Sequence, residues 1–211
     1  MKIIKIKSHA KINLALNITG KNKSLHKIES IISFLDLHDV ILINEYKSFK
    51  HQISFYGKFS NKISKKNTVE KLFQILDEKN LLKGKKFKVR IKKNIPQEAG
   101  LGGGSMNAAN VLNYLINKKL IKLSLKKIQN ICSSIGFDVI LGINFSSCVL
   151  LSNNKIKKFN RCPKYFTLLV KPNFGCSTKK IYSNVKKFTK SRFSHPKKNM
   201  FDSKYLINQG N

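Results

Sequence analysis

IPQEAGLGGGSMNAANVL, residues 95–112, is the stretch whose reading decides the fold, because four of the chain's eleven glycines fall within positions 100–104. Before it, KFKVRIKK (86–93) alternates with Phe87, Val89 and Ile91 on one side, which predicts a strand that Pro96 then stops. After it, Ala108, Ala109, Val111, Leu112, Leu115 and Ile116 form a helical stripe. A strand, then glycines, then a helix offers backbone N–H groups free of side-chain bulk at the positive end of a helix dipole. That arrangement suits a phosphate group; a glycine-rich turn closing a strand-to-helix connection is the plainer alternative. Two familiar phosphate loops are excluded. A Walker loop needs Gly-Lys before Ser or Thr, and this loop contains no lysine. A dinucleotide fingerprint needs a glycine where Ser105 stands and an acid about 20 residues on, yet no Asp or Glu occurs from Ala99 to Phe137. Ser105 suits a phosphate contact or a magnesium shell, and a helix cap equally well.

Working outward, KINLALNI (11–18) alternates strictly, with Ile12, Leu14, Leu16 and Ile18 on one face and Lys11, Asn13, Ala15 and Asn17 on the other. This predicts a half-buried strand with its apolar face inward and its polar face turned toward a site. ESIISFLD (29–36) reads as a short helix or strand, the following DVILI as a strand, and residues 44–66 as edge strands. Asn67 or Thr68 caps a helix bearing Val69, Leu72, Phe73 and Leu76, and Ser124 caps another bearing Leu125, Ile128, Ile131, Cys132 and Ile135. CVLLS and YFTLLVKP, ending at Pro172, are expected to be buried strands; beyond about residue 187 the apolar pattern fades.

The acid-free run ends at Asp138, between a glycine and an apolar segment, where a carboxylate is costly unless paired or used. A general base taking a proton from a hydroxyl fits that setting; a salt bridge or loop cap fits it too. Lys11 shares its strand face with Asn13, and a lysine beside Asp138 would keep it ionised and stabilise charge on an attacking oxygen. His26, after a loop, is either a ligand contact or a surface residue.

Composition narrows the class. Hydrophobic residues make up 41% of 211, enough for a packed core. No run approaches the roughly 18 apolar residues of a membrane span, and MKIIKIKSHAKINLAL lacks the apolar core of a secretory signal, so a cytoplasmic protein is expected. The four cysteines, without a CxxC pair, are expected to be simple thiols. The net charge of +32 comes from 39 Lys against only 3 Arg, beside 22 Asn and many Ile. Selected nucleic-acid readers favour Arg, and these lysines are spread through every segment, so the charge is read as codon bias, with no specific nucleic-acid partner and no membrane.

SHAKINLALNITG, IPQEAGLGGGSMNAANVL and IGFDVILGI together resemble the three N-terminal signatures of the GHMP kinase superfamily, over roughly residues 5–185. The resemblance implies an α+β fold of two domains: an N-terminal ribosomal protein S5 domain 2-like α/β domain (1–158) with a left-handed βαβ phosphate loop, and a ferredoxin-like C-terminal domain. It implies ATP-dependent phosphorylation of a cytidine diphosphate-linked small-molecule alcohol with Mg²⁺. By motif position, Asp138 would be the base and Lys11 the group orienting it. Pro96, Gln97, Glu98, Ala99, Gly100, Leu101, Gly102, Gly103, Gly104 and Ser105 would hold ATP, with Ser105 a candidate magnesium contact. Asn13, His26 and Tyr182 would form the substrate site. There are departures: Ser24-Leu25 precedes His26 where the superfamily member most alike has Gly-Tyr, Met106 replaces a serine, Ile140 replaces a proline, and no Gly-Thr-Gly-Ala loop follows Tyr182. Residues 159–211 are therefore expected to be a partial second domain, with an exposed apolar face. The alternatives are a homoserine- or mevalonate-type kinase, or a non-catalytic basic binding protein.

Overall fold

The computed structural model describes residues 2–22, 25–61, 63–172 and 178–209. The side chains of Leu25 and of residues 178–180 are outside that description, as are Ser24 and one of the four cysteines, Cys176. The elements run β1 (Ile4–Asn22), β2 (Leu25–Glu45), β3 (Gln52–Tyr56), α1 (Thr68–Glu78), β4 (Phe87–Lys92), α2 (Gly103–Asn117), α3 (Leu125–Ile135), a 3₁₀ turn (Phe137–Gly142), β5 (Ser147–Leu150) and β6 (Ile156–Phe159). Two short helices follow, α4 (Thr178–Ser183) and α5 (Ser203–Ile207). The strands order as β3-β4-β2-β5-β6, with β1 also paired to β2. The chain divides into two compact units that interleave in sequence, β1 and β2 contributing residues to both.

The first unit comprises residues 1–10, 35–97 and 101–145. Val40–Glu45 of β2 pair antiparallel with β4, and β3 lies parallel to β4 at the edge. The alternation in β4 puts Phe87, Val89 and Ile91 inward, fully buried, against Ile41 and Ile43. Helices α1, α2 and α3 close that face through Val69, Leu72, Phe73 and Leu76, through Ala108, Val111, Leu112 and Leu115, and through Ile128, Ile131 and Cys132. The helix starts follow local chemistry. Asn67 Oδ1 accepts the N–H groups of Val69 and Glu70, both at 3.0 Å, and Ser124 Oγ accepts that of Lys127. Leu125, expected in the core, is exposed because it is the first residue of its helix, a full turn from the packed stripe.

This unit also buries His51, stacked on Phe73 at 4.2 Å. Its Nδ1 accepts the Phe87 N–H at 3.0 Å, which leaves the proton on Nε2, 3.2 Å from the Asp77 carboxylate but off-line for a good hydrogen bond. Burial pushes the imidazole below its ordinary 6.5, against the opposing pull of Asp77. With the folded value depressed, the unfolded chain binds the proton first, so the stability from neutral His51 is present above 6.5 and lost as pH falls through the folded value. Denaturant midpoints between pH 7 and 5 should therefore fall less steeply for His51→Gln than for the parent; equal slopes would refute the assignment.

The second unit comprises residues 11–34, 98–100 and 146–211. Ser30–Ile32 of β2 pair antiparallel with β5, which pairs with β6. Its core gathers Ala15, Ile31 and Val149 with Phe193, Met200 and Phe201 from beyond the last strand. Three expectations change here. The strand read from KINLALNI is the middle of a 19-residue strand, and the polar face, expected to turn toward a site while the apolar face went inward, is the more buried one: Ala15 is 0%, Lys11 6% and Asn17 9% exposed. Burial is tolerated because the polar groups are partnered, Asn17 donating to the buried Glu29 at 3.1 Å. ESIISFLD and DVILI are not separate elements but one continuous 21-residue strand. YFTLLV, expected to be a buried strand, is neither: no described strand pairs with it, and Phe166, Leu168 and Val170 are exposed. Apolar composition there carried no neighbour with which to form a ladder.

Candidate active site

The glycine loop joins β4 to α2. Gly100 and Gly102 hold φ of +70° and +65°, the left-handed region. Gly103 is fixed by proximity instead. A Cβ there would meet Ile95 at 3.1 Å and Lys93 Nζ at 3.2 Å, so a larger residue would have to push these side chains aside. Helix α2 begins at Gly103 with no side-chain cap, whereas α1 and α3 are each capped by a side chain. Its first N–H groups thus present the partial positive charge that an anion satisfies. Residues 97–100 are exposed and Ser105 is half-buried. Gln97 donates from Nε2 to Phe59 O at 3.0 Å and Asn61 O at 2.6 Å, tying the segment before the loop to the one after β3. Thr68 at the start of α1 donates to Gly104 O at 2.6 Å, bringing a second helix N-terminus to the loop.

Asp138 is half-buried in the first turn of the 3₁₀ segment that follows α3. That segment packs on the start of α2: a Cβ on Gly136 would lie 3.9 Å from Ser105 Oγ, and one on Gly142 only 2.7 Å from the Ala109 Cβ and 3.0 Å from Met106 Sδ. Met106, conspicuous in the sequence as a replaced serine, is buried beside Gly142, and Ile140 packs against the core of the first unit. The structure therefore brings the carboxylate's segment to the glycine loop, 33 positions apart in sequence between Ser105 and Asp138.

In the other unit, Lys11 lies buried in β1. Two residues on, Asn13 accepts the Ser30 hydroxyl at 3.1 Å, which orients its amide; Ser30 also donates to Ala15 O at 2.7 Å. His26 at the start of β2 stacks on Tyr182 with ring centroids 5.3 Å apart and 24° between planes, and Phe188 stands 6.3 Å away. These rings are in contact, so a planar base would stack on an outer face or meet an edge rather than enter between them.

The sequence reading missed a buried carboxylate, Asp39. It is 0% exposed and salt-bridged to Lys93, itself 4% exposed. An acid in the apolar run DVILI carried the same signal that drew notice to Asp138. Of the cysteines, Cys132 and Cys148 are buried free thiols pushed up to about 11 by burial, hence unreactive. Among the described residues no group of three or more His, Cys, Asp or Glu side chains gathers around a metal position, and no helix is long and apolar enough to cross a membrane.

Residues 67–149, spanning α1 through β5, match the family described as the GHMP kinases N terminal domain. The 4-diphosphocytidyl-2-C-methyl-D-erythritol kinase of Pelagibacter ubique is 56% identical over all 211 residues, which span 75% of its length. That of Clostridium tetani is 35% identical over 97% of this chain and 70% of its own, and one from Clostridium botulinum is 34% identical over 85% of this chain and 64% of its own. A crystal structure of 4-(cytidine 5'-diphospho)-2C-methyl-D-erythritol kinase superposes with a TM-score of 0.60 at 19% identity, covering 76% of this chain and 56% of that one. Homoserine kinase from Cytophaga hutchinsonii gives 0.52 at 18%, covering 75% and 52%; both likenesses are of fold. A GHMP kinase fold with its glycine loop between strand and helix is thus in place, and the chain belongs to the 4-diphosphocytidyl-2-C-methyl-D-erythritol kinase family of GHMP kinases.

Proposed function

We propose that the protein transfers the γ-phosphoryl group of ATP to the 2-hydroxyl of 4-diphosphocytidyl-2-C-methyl-D-erythritol, a step toward isoprenoid precursors outside the mevalonate route. The observation that carries this reading is the uncapped start of α2 at Gly103, with the Asp138 turn packed against Ser105. The loop from Pro96 to Ser105 binds the nucleotide phosphates through backbone N–H groups, fixing the transferring phosphorus without a side chain in the way. Asp138 accepts the proton of the attacking hydroxyl. Lys11 stabilises the charge that develops on that oxygen. Asn13, held by Ser30, fixes the alcohol, and the His26–Tyr182 pair takes the cytosine ring by stacking.

The residues present fit a phosphate-bound Mg²⁺ better than a protein-caged one, since hydroxyl and phosphate oxygens suit a magnesium ion that keeps several waters. Ser105 would hold it on the protein side, and the ion would supply charge neutralisation across the phosphates. The test is direct: incubate the purified chain with Mg²⁺, [γ-³²P]ATP and the cytidine-linked alcohol, then follow label. Label on the 2-hydroxyl product is expected; ADP release no faster than without the alcohol would sink the proposal. Homoserine and mevalonate as acceptors should give background only.

A further inference from the structure

We infer that Asp39 and Lys93 are positioning residues of the glycine loop, one buried carboxylate fixing the loop's entry with one oxygen and its exit with the other. Asp39 Oδ1 accepts the backbone N–H groups of Asn94 and Ile95, at 2.8 and 2.9 Å, the last residues before Pro96. Its Oδ2 accepts from Lys93 Nζ and, at 3.0 Å, from Asn107 Nδ2 on α2. Lys93 Nζ also lies beside the start of α2, 3.2 Å from where a Cβ on Gly103 would stand.

The chemistry is out of proportion to a packing role. Asp39, Lys93 and Asn107 are 0%, 4% and 1% exposed, and a buried ion pair of this kind is seldom the most stable filling for its volume. What the pair provides is directional: four bonds from two ends of one loop meet on a planar group, leaving the loop little freedom to shift its N–H groups. Both carboxylate oxygens of Asp39 are satisfied, although Asn107 Oδ1 is buried without a hydrogen-bond partner; such buried bonds rigidify what they join, and small misplacements at a reacting centre cost rate steeply. The sequence separation, 54 residues from Asp39 to Lys93 and 68 to Asn107, makes this a tertiary device.

This rests on reading the loop as the ATP phosphate site, and the experiment separates the two. Asp39→Asn keeps an oxygen for Asn94 and Ile95 but presents an amide N–H₂ to Lys93 and Asn107, breaking the ion pair and the tie to α2 while sparing the two backbone bonds. For Asp39→Asn we expect the KM for ATP to rise about tenfold or more while the KM for the cytidine-linked alcohol stays within about twofold. A merely structural residue would lower the active fraction and leave both KM values alone. Asn107→Ala, which removes a single bond and introduces a good helix former, should shift the ATP KM in the same direction by less, and stands in if Asp39→Asn does not fold. Folded variants with both KM values unchanged would overturn the inference. Should the parent chain not use ATP at all, amide exchange decides it: residues 101–105 should exchange about tenfold faster in either variant with α3 unchanged. Unaltered loop exchange would overturn the positioning role, whereas faster exchange without ATP turnover would sustain it and remove only the kinase reading.

Discussion

Asp138→Asn should slow phosphoryl transfer by about 10³-fold while the melting temperature stays within about 2 °C of the parent. The substitution keeps shape and size and removes only the proton-accepting charge. Asp138 sits in a short 3₁₀ turn whose neighbours Val139 and Leu141 are buried, so the backbone there is held by packing on either side. A general base contributes about 10²–10⁴ to a rate, and the glycine loop, proposed as the ATP site and not altered by the change, should keep its grip on ATP. Turnover should therefore fall with the KM for ATP unaltered. If Asp138 were only a cap of its turn, the order would reverse: the melting temperature would drop and the folded fraction would turn over normally. Lys11→Met is the companion, with an expected loss of about 10²–10³, the scale of a removed charge-stabilising donor. An unchanged rate in Asp138→Asn would remove the base and leave the reaction without a proton acceptor.

Much of the first unit was legible because its signals are local and mutually consistent. The β4 alternation, the Asn67 and Ser124 caps and the α2 stripe each need only a few neighbouring residues to be read, and each is found where the sequence put it. The glycine loop was legible for the same reason. What could not be read was long-range pairing. Lys11, Ala15 and Asn17 lie on the more buried face of β1 because partners such as Glu29 come from β2, and no period in β1 reports those partners. YFTLLV has the composition of a strand but no neighbouring strand among the described residues, so its apolar groups stay exposed. Asp39 escaped notice because it lay inside an apolar run read only for its period; its four donors are all distant in sequence.

The tail after residue 187, whose apolar pattern fades, shows the same limit from the other side, and it leads to the second large effect. Three isolated side chains, Phe193, Met200 and Phe201, enter the core of the second unit, and no periodicity announces them. One buried acid holds the stretch that carries the first of them. Glu29 accepts from Ser191 Oγ at 2.7 Å, Arg192 N at 2.7 Å, Phe193 N at 3.3 Å and Asn17 Nδ2 at 3.1 Å, while Thr189 N donates to Ile18 O at 2.9 Å. Glu29→Ala leaves two backbone N–H groups, a hydroxyl and an amide without their acceptor, those of Phe193 and Asn17 on buried residues and those of Ser191 and Arg192 on exposed ones. At about 1–3 kcal/mol for an unsatisfied buried group, discounted for those that relax toward solvent, the expected destabilisation is about 3–5 kcal/mol. Glu29→Gln retains one acceptor oxygen and should cost about half as much. The loss should be local before it is global. Trypsin should cut at Lys190 and Arg192 far faster in Glu29→Ala than in the parent under native conditions, because opening that segment no longer breaks the latch. His26 stacks on Tyr182 just upstream; with that pair as the proposed cytosine site, the cytidine-linked substrate should bind more weakly while ATP affinity is kept, the mirror image of the Asp39 variants. Native-state cleavage at the parental rate, with a denaturant midpoint unchanged, would show that the apolar anchors hold the segment without the acid.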